Sequence, residues 1–427
     1  MSRLTKKITV SLSVVVLAYV CMGYVLGKSN DDKSYKALTV YSEVLQHIQR
    51  DYVDDPNMNS VTTGALHGLL DSLDPQSSYL SPLEYADYKK KIEEKGKGSA
   101  GLVLSKRFGY IAVVSVLPDS PGQKAGLRNG DILESIAGFT TSQMSIGQAD
   151  VLLTGDLGSS VKLDVIRRGK TEPQDVSVTM AKVAPPKLLE DRLQNDIAYL
   201  HIQSFDPGTA KQVREKLVEF DHQGAKKLIL DLRDCATGQM DEAVSTAQLF
   251  LASGTIATLK GQTVSTQTFS ADPSKVVWKQ PISVLIAGGT AGPAEVVAAA
   301  IADNHRGDTV GERTFGTAST QKLIQLDDGA ALILTVANYY SPEGKSIPAE
   351  GVAPSVELQA NSDDFGDSSD LDEQVTPPAG HAVSPDDPYV KKAIEVMNGG
   401  TPARKAADQI NPIPIPERAR ELDRNAA

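Results

Sequence analysis

Cysteine, histidine and basic charge are all scarce, and each shortage removes a class of function. The two cysteines, Cys21 and Cys235, lie far apart, Cys21 inside an apolar run, so no disulfide framework is expected. The six histidines (His47, His67, His201, His222, His305, His381) show neither an H-E-x-x-H string nor Cys/His ligand spacing, and no metal or other cofactor is expected. Acidic side chains outnumber basic ones 54 to 43, for a formal charge of -11 and a pI near 5.1, which leaves no electrostatic footprint for nucleic acid. The excess is local. Between Asn361 and Val390 stand eight carboxylates and no Lys or Arg, so the net charge describes a solvated linker and not an active site. No internal repeat of long period is found.

What is present is the composition of a folded protein. Of 427 residues, 41% are hydrophobic and 23% charged, which fits neither global disorder nor a polytopic membrane protein. At roughly 100–200 residues per domain, the chain has room for two or three. Arg3, Lys6 and Lys7 precede an uncharged stretch from Ile8 to Leu26, 19 residues long. At about 1.5 Å per residue such a helix just spans a hydrocarbon core of about 30 Å. The positive flank stays in the cytoplasm, which puts everything after Gly27 on the far, extracytoplasmic side. No A-x-A cleavage site follows the apolar run, and Val20 spoils a lipoprotein-type site before Cys21, so an uncleaved anchor is expected over a cleaved signal peptide.

Beyond this segment (1–30) the chain divides into four regions. From 31 to 95 the apolar residues recur at helical spacing (Leu38, Val40, Tyr41, Val44, Leu45, Ile48), predicting a helical arm. Within it, Asp71-Ser-Leu-Asp-Pro-Gln-Ser-Ser-Tyr-Leu80 is a turn-rich stretch that propensity does not explain. From 96 to 183 short β-branched runs (Ile111–Val116, Val161–Ile166, Val176–Met180) alternate with turn signals, predicting a small β domain. From 184 to 360 strand and helix patterns alternate: strands at Ile197–Ile202, Lys227–Leu232 and Ile282–Ile286, helices at Thr209–Phe220, Met240–Leu251 and Ala294–Asp303. That order predicts an α/β layer with a largely parallel sheet. From 361 to 427 the acidic linker leads to one predicted helix, Pro388–Met397, and a proline-rich end. The fold class is therefore α/β and α+β, multidomain.

Two resemblances follow from motifs. The run Pro121-Gly-Gln-Lys-Ala-Gly-Leu-Arg-Asn-Gly-Asp-Ile132 resembles a PDZ domain, a module that captures an extended peptide on a sheet edge and its terminal carboxylate on backbone N–H groups. The resemblance puts that loop at Ser99, Ala100, Gly101 and Leu102, where relatives carry more glycine. Anchor, arm, PDZ and α/β core in this order resemble the carboxy-terminal processing peptidases, the S41 serine peptidase family. The resemblance rests on Asp71–Leu80, Leu228-Ile-Leu-Asp-Leu-Arg233, Asp241-Glu-Ala-Val244, Val310-Gly-Glu-Arg-Thr-Phe-Gly316 and Tyr339-Tyr-Ser-Pro-Glu-Gly-Lys-Ser-Ile347. Such enzymes cleave polypeptides near the carboxy terminus with a Ser/Lys dyad, and assemble through the arm and the carboxy-terminal region.

Here the chemical positions depart from the pattern. Where the family has G-G-[ST]-A-S-A-S-E, this chain reads Gly288-Gly-Thr-Ala-Gly-Pro-Ala-Glu295. Gly292 stands at the nucleophile position with no side chain to attack, and Pro293, at the oxyanion position, has no N–H to donate. Where the family has F-G-K-G-S-x-Q, the chain reads Phe315-Gly-Thr-Ala-Ser-Thr-Gln321, so Thr317 replaces the lysine base while Gln321 remains. The loop usually written N-N-P-G-G is Asp234-Cys-Ala-Thr-Gly238, and Thr237 is expected to disturb its shape. Thr290, Cys235, Lys322 and His305 are the candidate substitutes, and each reads better as structural or solvated. The expectation is a pseudopeptidase: an anchored, dimeric extracytoplasmic scaffold that binds protein carboxy-terminal tails or an active peptidase paralogue. The alternative is an active serine-type peptidase with a displaced nucleophile.

Overall fold

The computed structural model describes residues 31–93, 97–107, 109–167, 170, 172–193, 196–358 and 381–399. The anchor expected at residues 8–26 and the linker at 361–380 lie outside them. Among the described residues no helix is long and apolar enough to cross a membrane. The chain forms two compact units, residues 1–65 and 66–427.

In the first unit, the helix Asp31–Asp51 carries the expected periodic residues, with Leu38, Tyr41 and Val44 exposed. A second helix, Met58–Asp71, begins in this unit and ends in the next.

In the second unit, the central sheet orders its strands Leu189–Leu193, Ile197–His201, Lys227–Asp231, Ile282–Ile286, Asp308–Gly311 and Val356–Glu357. Every pairing is parallel except that of the first two strands. The near-continuous apolar runs are what a strand covered on both faces requires, and the period of two sorts them. Ala198, Leu200, Leu228, Leu230, Val284 and Ile286 point into one core with the helices Thr209–His222, Met240–Gln248 and Pro293–Asp303. Ile197, Tyr199, Ile229 and Leu285 point to the other face, where Val390, Ala393 and Val396 of the helix Pro388–Met397 cover them. Fully burying each large apolar side chain contributes about 1.5–3 kcal/mol.

The carboxy-terminal helix is also fastened by charge. The Arg233 guanidinium donates to buried Asp231 (2.6 Å) and to Asp387 (2.9 Å), the residue that caps the helix, and lies 4.8 Å from the ring centre of Tyr389. Burial alone would raise the Asp231 carboxyl; Arg233, His201 and a hydrogen bond from Tyr199 outweigh it and hold the pKa at about 2.

A second sheet, antiparallel, was not foreseen. Ala331–Tyr340 runs through it, paired with Ser78–Leu80, Thr255–Lys260 and Ser319–Gln325, and Gln267–Ser270 completes the edge. The arm is accordingly not wholly helical: Ser78–Leu80 is a strand in register with Ala331–Ile333, followed by the helix Pro82–Glu93. The β domain holds the sheet order Leu102–Arg107, Tyr110–Val116, Ile132–Ile136, Ser160–Ile166, Gln174–Thr179 around its own core of Ile111, Leu133, Leu163 and Val178. The helix Ile146–Leu152 starts with a capping box in which Ser145 and Gln148 satisfy each other's backbone N–H.

Candidate functional site

The loops that follow the parallel strands at their carboxyl ends meet at one place, the usual position of sites in such sheets. The strand Ile282–Ile286 turns sharply at Ala287–Gly292 into the helix Pro293–Asp303, with Gly292 at φ 56°, ψ −115°. The left-handed φ favours glycine, and proline in the first helical turn costs no helix hydrogen bond. The local sequence Gly-Pro is thus good turn and helix-start chemistry, while it deprives the turn of both a nucleophile and an N–H donor.

Thr290 is fully buried; its hydroxyl donates to the Leu232 carbonyl (2.8 Å) and accepts the Ala287 N–H (3.0 Å). That hydroxyl is spent on joining two loops. Glu295, one turn into the helix and equally buried, accepts from Gly292 N (2.9 Å), Thr317 N (2.8 Å), Gly316 N (2.6 Å) and Thr314 Oγ1 (2.5 Å). Burial pushes its carboxyl above the ordinary value, against the pull of these four donors. One carboxylate thereby ties position 292 to position 317. A Cβ built on Gly292 would stand 3.9 Å from Thr317 Oγ1 and 4.0 Å from the Ala236 carbonyl oxygen. The structure therefore brings the three segments assigned to nucleophile, base and oxyanion loop to within side-chain reach of each other, with glycine, threonine and alanine facing one another.

The loop Asp234–Gly238 is shaped by two residues in the left-handed region, Asp234 (φ 61°) and Gly238 (φ 118°). A Cβ at Gly238 would lie 2.4 Å from the Phe205 carbonyl carbon, so only glycine fits. Thr237 is not among the positive-φ residues, so the disturbance expected of it does not arise: the loop asks for glycine's freedom one residue later. Cys235 is fully buried, and burial together with the carboxylates of Asp234, Asp206 and Asp231 keeps its thiol protonated well above the usual range. Lys322 is exposed on the strand Ser319–Gln325, and His305 follows the helix Pro293–Asp303 at φ 52°. Neither lines the site.

Between these loops and the β domain lies a cavity of about 230 Å³. Its core side is formed by Ala236, Gly238, Met240 and the segment Ala291–Pro293, with Thr317, Ser319 and Gln321 along one wall. Val103, Leu104 and Val114 of the β domain and Gln76 of the arm also line it. No lining residue is charged. Gln321, expected to support a lysine, donates instead to Ser319 Oγ (2.7 Å).

Gln76 and the β-domain valines were missed from the sequence, although the unexplained motif at Asp71–Leu80 held the signal. Asp74 accepts the N–H groups of Gln76 (2.8 Å) and Ser77 (2.9 Å), the Ser77 hydroxyl (2.8 Å), and the Thr335 hydroxyl of the second sheet (2.9 Å). This Asx turn clips the arm to the sheet and presents Gln76 at the cavity.

The β domain is joined to the same loop. Asn129 donates through its side-chain amide to the Asp234 carboxylate, and Ser115 Oγ donates to the Asp234 carbonyl (2.6 Å). In its candidate peptide loop, Gly101 takes φ 72°, the Ala100 N–H donates to Leu153 O (3.0 Å) and the Gly101 N–H to Ser99 Oγ (3.1 Å). Those two donors are engaged within the domain. Leu102 begins the outermost strand of the β-domain sheet as described, the kind of edge to which an extended peptide adds.

Comparison with known proteins puts these observations in a family. Residues 196–358 match peptidase family S41 and residues 113–167 match the PDZ domain. A carboxy-terminal-processing protease of Bartonella bacilliformis is 30% identical over 346 residues, covering 80% of this chain and 79% of that protein. The carboxy-terminal processing protease CtpA of Bacillus subtilis is 29% identical over 337 residues, covering 78% and 72%. Among solved structures, the photosystem II D1 C-terminal processing protease superposes with a TM-score of 0.63 at 24% identity over 75% of this chain and 92% of that one, a likeness of fold. The chain belongs to peptidase family S41, as a PDZ-bearing homologue of the carboxy-terminal processing proteases.

Proposed function

We propose that this homologue binds polypeptide tails without cutting them. The observation that carries the reading is the convergence at one cavity of Gly292, Pro293 and Thr317, where acyl transfer needs a nucleophile, an N–H donor and a base. General-base and oxyanion contributions are each worth about 10²–10⁴ in rate, so their joint loss removes most of the catalytic power. What remains is a PDZ domain, which supports recognition of protein carboxy-terminal tails. In this reading the protein is held to a membrane through residues 8–26, with its bulk on the extracytoplasmic side, and works as a dimer or beside an active paralogue.

A second reading has its own support: the relatives in Bartonella and Bacillus are named proteases. It makes this chain an active peptidase with a displaced hydroxyl, and the hydroxyls on the cavity are those of Thr317 and Ser319. The test is incubation of the detergent-solubilised full chain with an unfolded protein, followed by mass spectrometry, beside the variant Gly292→Ser/Pro293→Ala/Thr317→Lys. A silent natural chain and a cutting variant are expected. Cleavage by the natural chain, abolished by Ser319→Ala or Thr317→Val, overturns the binding reading in favour of the second.

A further inference from the structure

We infer that the carboxy-terminal helix Pro388–Met397 controls how firmly the β domain is docked on the core, through a hinge at Arg233 and Asp234 that both of them grip. The coupling holds whether or not the chain cuts polypeptide.

The helix grips Arg233. Its capping residue Asp387 accepts from Arg233 Nη1 (2.9 Å), and the ring centre of Tyr389 lies 4.8 Å from the guanidinium carbon. That ring is keyed against the backbone of the sheet: a Cβ on Gly311 would stand 2.9 Å from Tyr389 Cε1, and the phenol donates to Glu312 (3.2 Å). Asp231 takes the rest of the guanidinium (2.6 Å) and also accepts the Arg233 N–H (2.9 Å). Two carboxylates and a ring leave the Arg233 side chain 18% exposed, so these charges attract where water screens them little, and the docked helix is part of what keeps water out.

The β domain grips Asp234. Two hydrogen bonds join it to this loop, and both end on that one residue: Ser115 Oγ donates to the Asp234 carbonyl (2.6 Å) and the Asn129 side-chain amide to the carboxylate. Asn129 is itself fixed, since its oxygen accepts the Val116 N–H (3.0 Å). Asp234 sits at φ 61°, in the left-handed region, a conformation that a residue other than glycine keeps only where its surroundings enforce it.

Residues 233 and 234 share one peptide plane, which makes the two grips interdependent. With the helix docked, Arg233 is clamped by side chain and N–H, and Asp234 is held in the strained state in which its carbonyl and carboxylate meet the β domain. With the helix away, water weakens the Asp231–Arg233 attraction, and residue 234 can relax to an ordinary φ that turns both acceptors from Ser115 and Asn129. The β domain stays tied to the arm, where Lys106 donates to Asp71 (2.6 Å) and Gln148 to Glu84, so it swings and is not lost. A partner offering an apolar groove to Val390, Ala393 and Val396 would therefore release the β domain from a distance.

The test uses the full chain in detergent, carrying Cys21→Ser, with spin labels at Phe139→Cys in the β domain and Val218→Cys in the core, both exposed positions. A second pair combines Phe139→Cys with exposed Leu83→Cys of the arm, and pulsed dipolar spectroscopy reads the distance distributions. In Asp387→Ala/Tyr389→Ala the distribution between 139 and 218 is expected to broaden while that between 139 and 83 stays narrow, and Tyr389→Phe, which keeps the ring, is expected to match the natural chain. Linkage is reciprocal, so Ser115→Ala/Asn129→Ala, which alters only the β-domain side, is expected to speed amide exchange of residues 390–397 at least about fivefold. A helix that merely covers the sheet would not respond to that change. A narrow distribution between 139 and 218 in Asp387→Ala/Tyr389→Ala, broadening of both pairs alike, or unchanged exchange of residues 390–397 in Ser115→Ala/Asn129→Ala overturns the inference. Trp278 emission checks the fold of each variant, and the exchange measurement decides by itself if Asp387→Ala/Tyr389→Ala does not fold.

Discussion

Gly292→Ser places an L side chain on a backbone held at φ 56°, ψ −115°. The cost can be separated into sterics and strain. Sterics contribute little, because the nearest atoms to the new Cβ, Thr317 Oγ1 and the Ala236 carbonyl oxygen, stand at 3.9 and 4.0 Å, ordinary contact distances. The turn cannot relax easily, since the Gly292 N–H is held by Glu295 (2.9 Å) and the Ala291 N–H by Cys235 O (2.9 Å). What is left is the strain of an unfavourable φ/ψ, about 1–3 kcal/mol. The single tryptophan, Trp278, is buried in the core that this helix helps to form, so its emission during urea unfolding reports the relevant unit. The expected result is a lower midpoint with an unchanged slope, and the same loss in Gly292→Ala to within about 0.5 kcal/mol, because the strain belongs to the backbone and not to the hydroxyl. A serine variant as stable as the natural chain refutes the argument. So does a marked difference between serine and alanine.

The same reasoning extends to neighbouring groups. Glu295→Gln leaves one acceptor oxygen for four donors in a fully buried place and is expected to cost about 2–4 kcal/mol, with faster amide hydrogen exchange confined first to residues 314–317. Asp231, with a pKa of about 2 in the fold, supplies stability that is complete above its ordinary value near 3.8 and is lost as pH falls through that range, about 2 kcal/mol in all. Acid titration of Trp278 emission tests this, and Arg233→Gln, which leaves the buried carboxylate without its main partner, should reverse the dependence so that acid stabilises relative to neutral pH. Cys235 should resist iodoacetamide in the native protein and react once urea unfolds the core, as read by peptide mapping at that residue.

Legibility in the sequence followed the range of the forces involved. Ile282–Ile286 and Pro388–Met397 match their observed ends because each is a short apolar or periodic run bounded by turn or capping residues, all local signals. The helix predicted to reach Leu251 stops at Gln248, where Phe250 and Leu251 leave the helical path to join the core, and Gln248 turns its carboxamide to the backbone of Leu251 and Asp272. The second sheet escaped notice because Ala331–Tyr340 is half-buried along most of its length and shows no clean alternation, and because the three residues Ser78–Leu80 become a strand only through partners some 250 positions away. In the site, Gly292, Pro293, Thr317 and Gln321 lie in linear motifs and could be named in advance. Gln76, Val103 and Val114 could not, since a cavity is made by segments that meet only in the folded chain.

The fastening of Pro388–Met397 has a consequence for how much of the chain beyond residue 380 can be lost. A tail is ordinarily dispensable, but here it roofs the apolar face of Tyr199, Ile229 and Leu285 and neutralises one side of Arg233. Removal of residues 381–399 would strip the central sheet of one face and leave the Asp231–Arg233 pair to solvent. Residues 381–399 are thus a structural member of the central sheet. A truncation before residue 388 would therefore uncover the core and not merely shorten a tail.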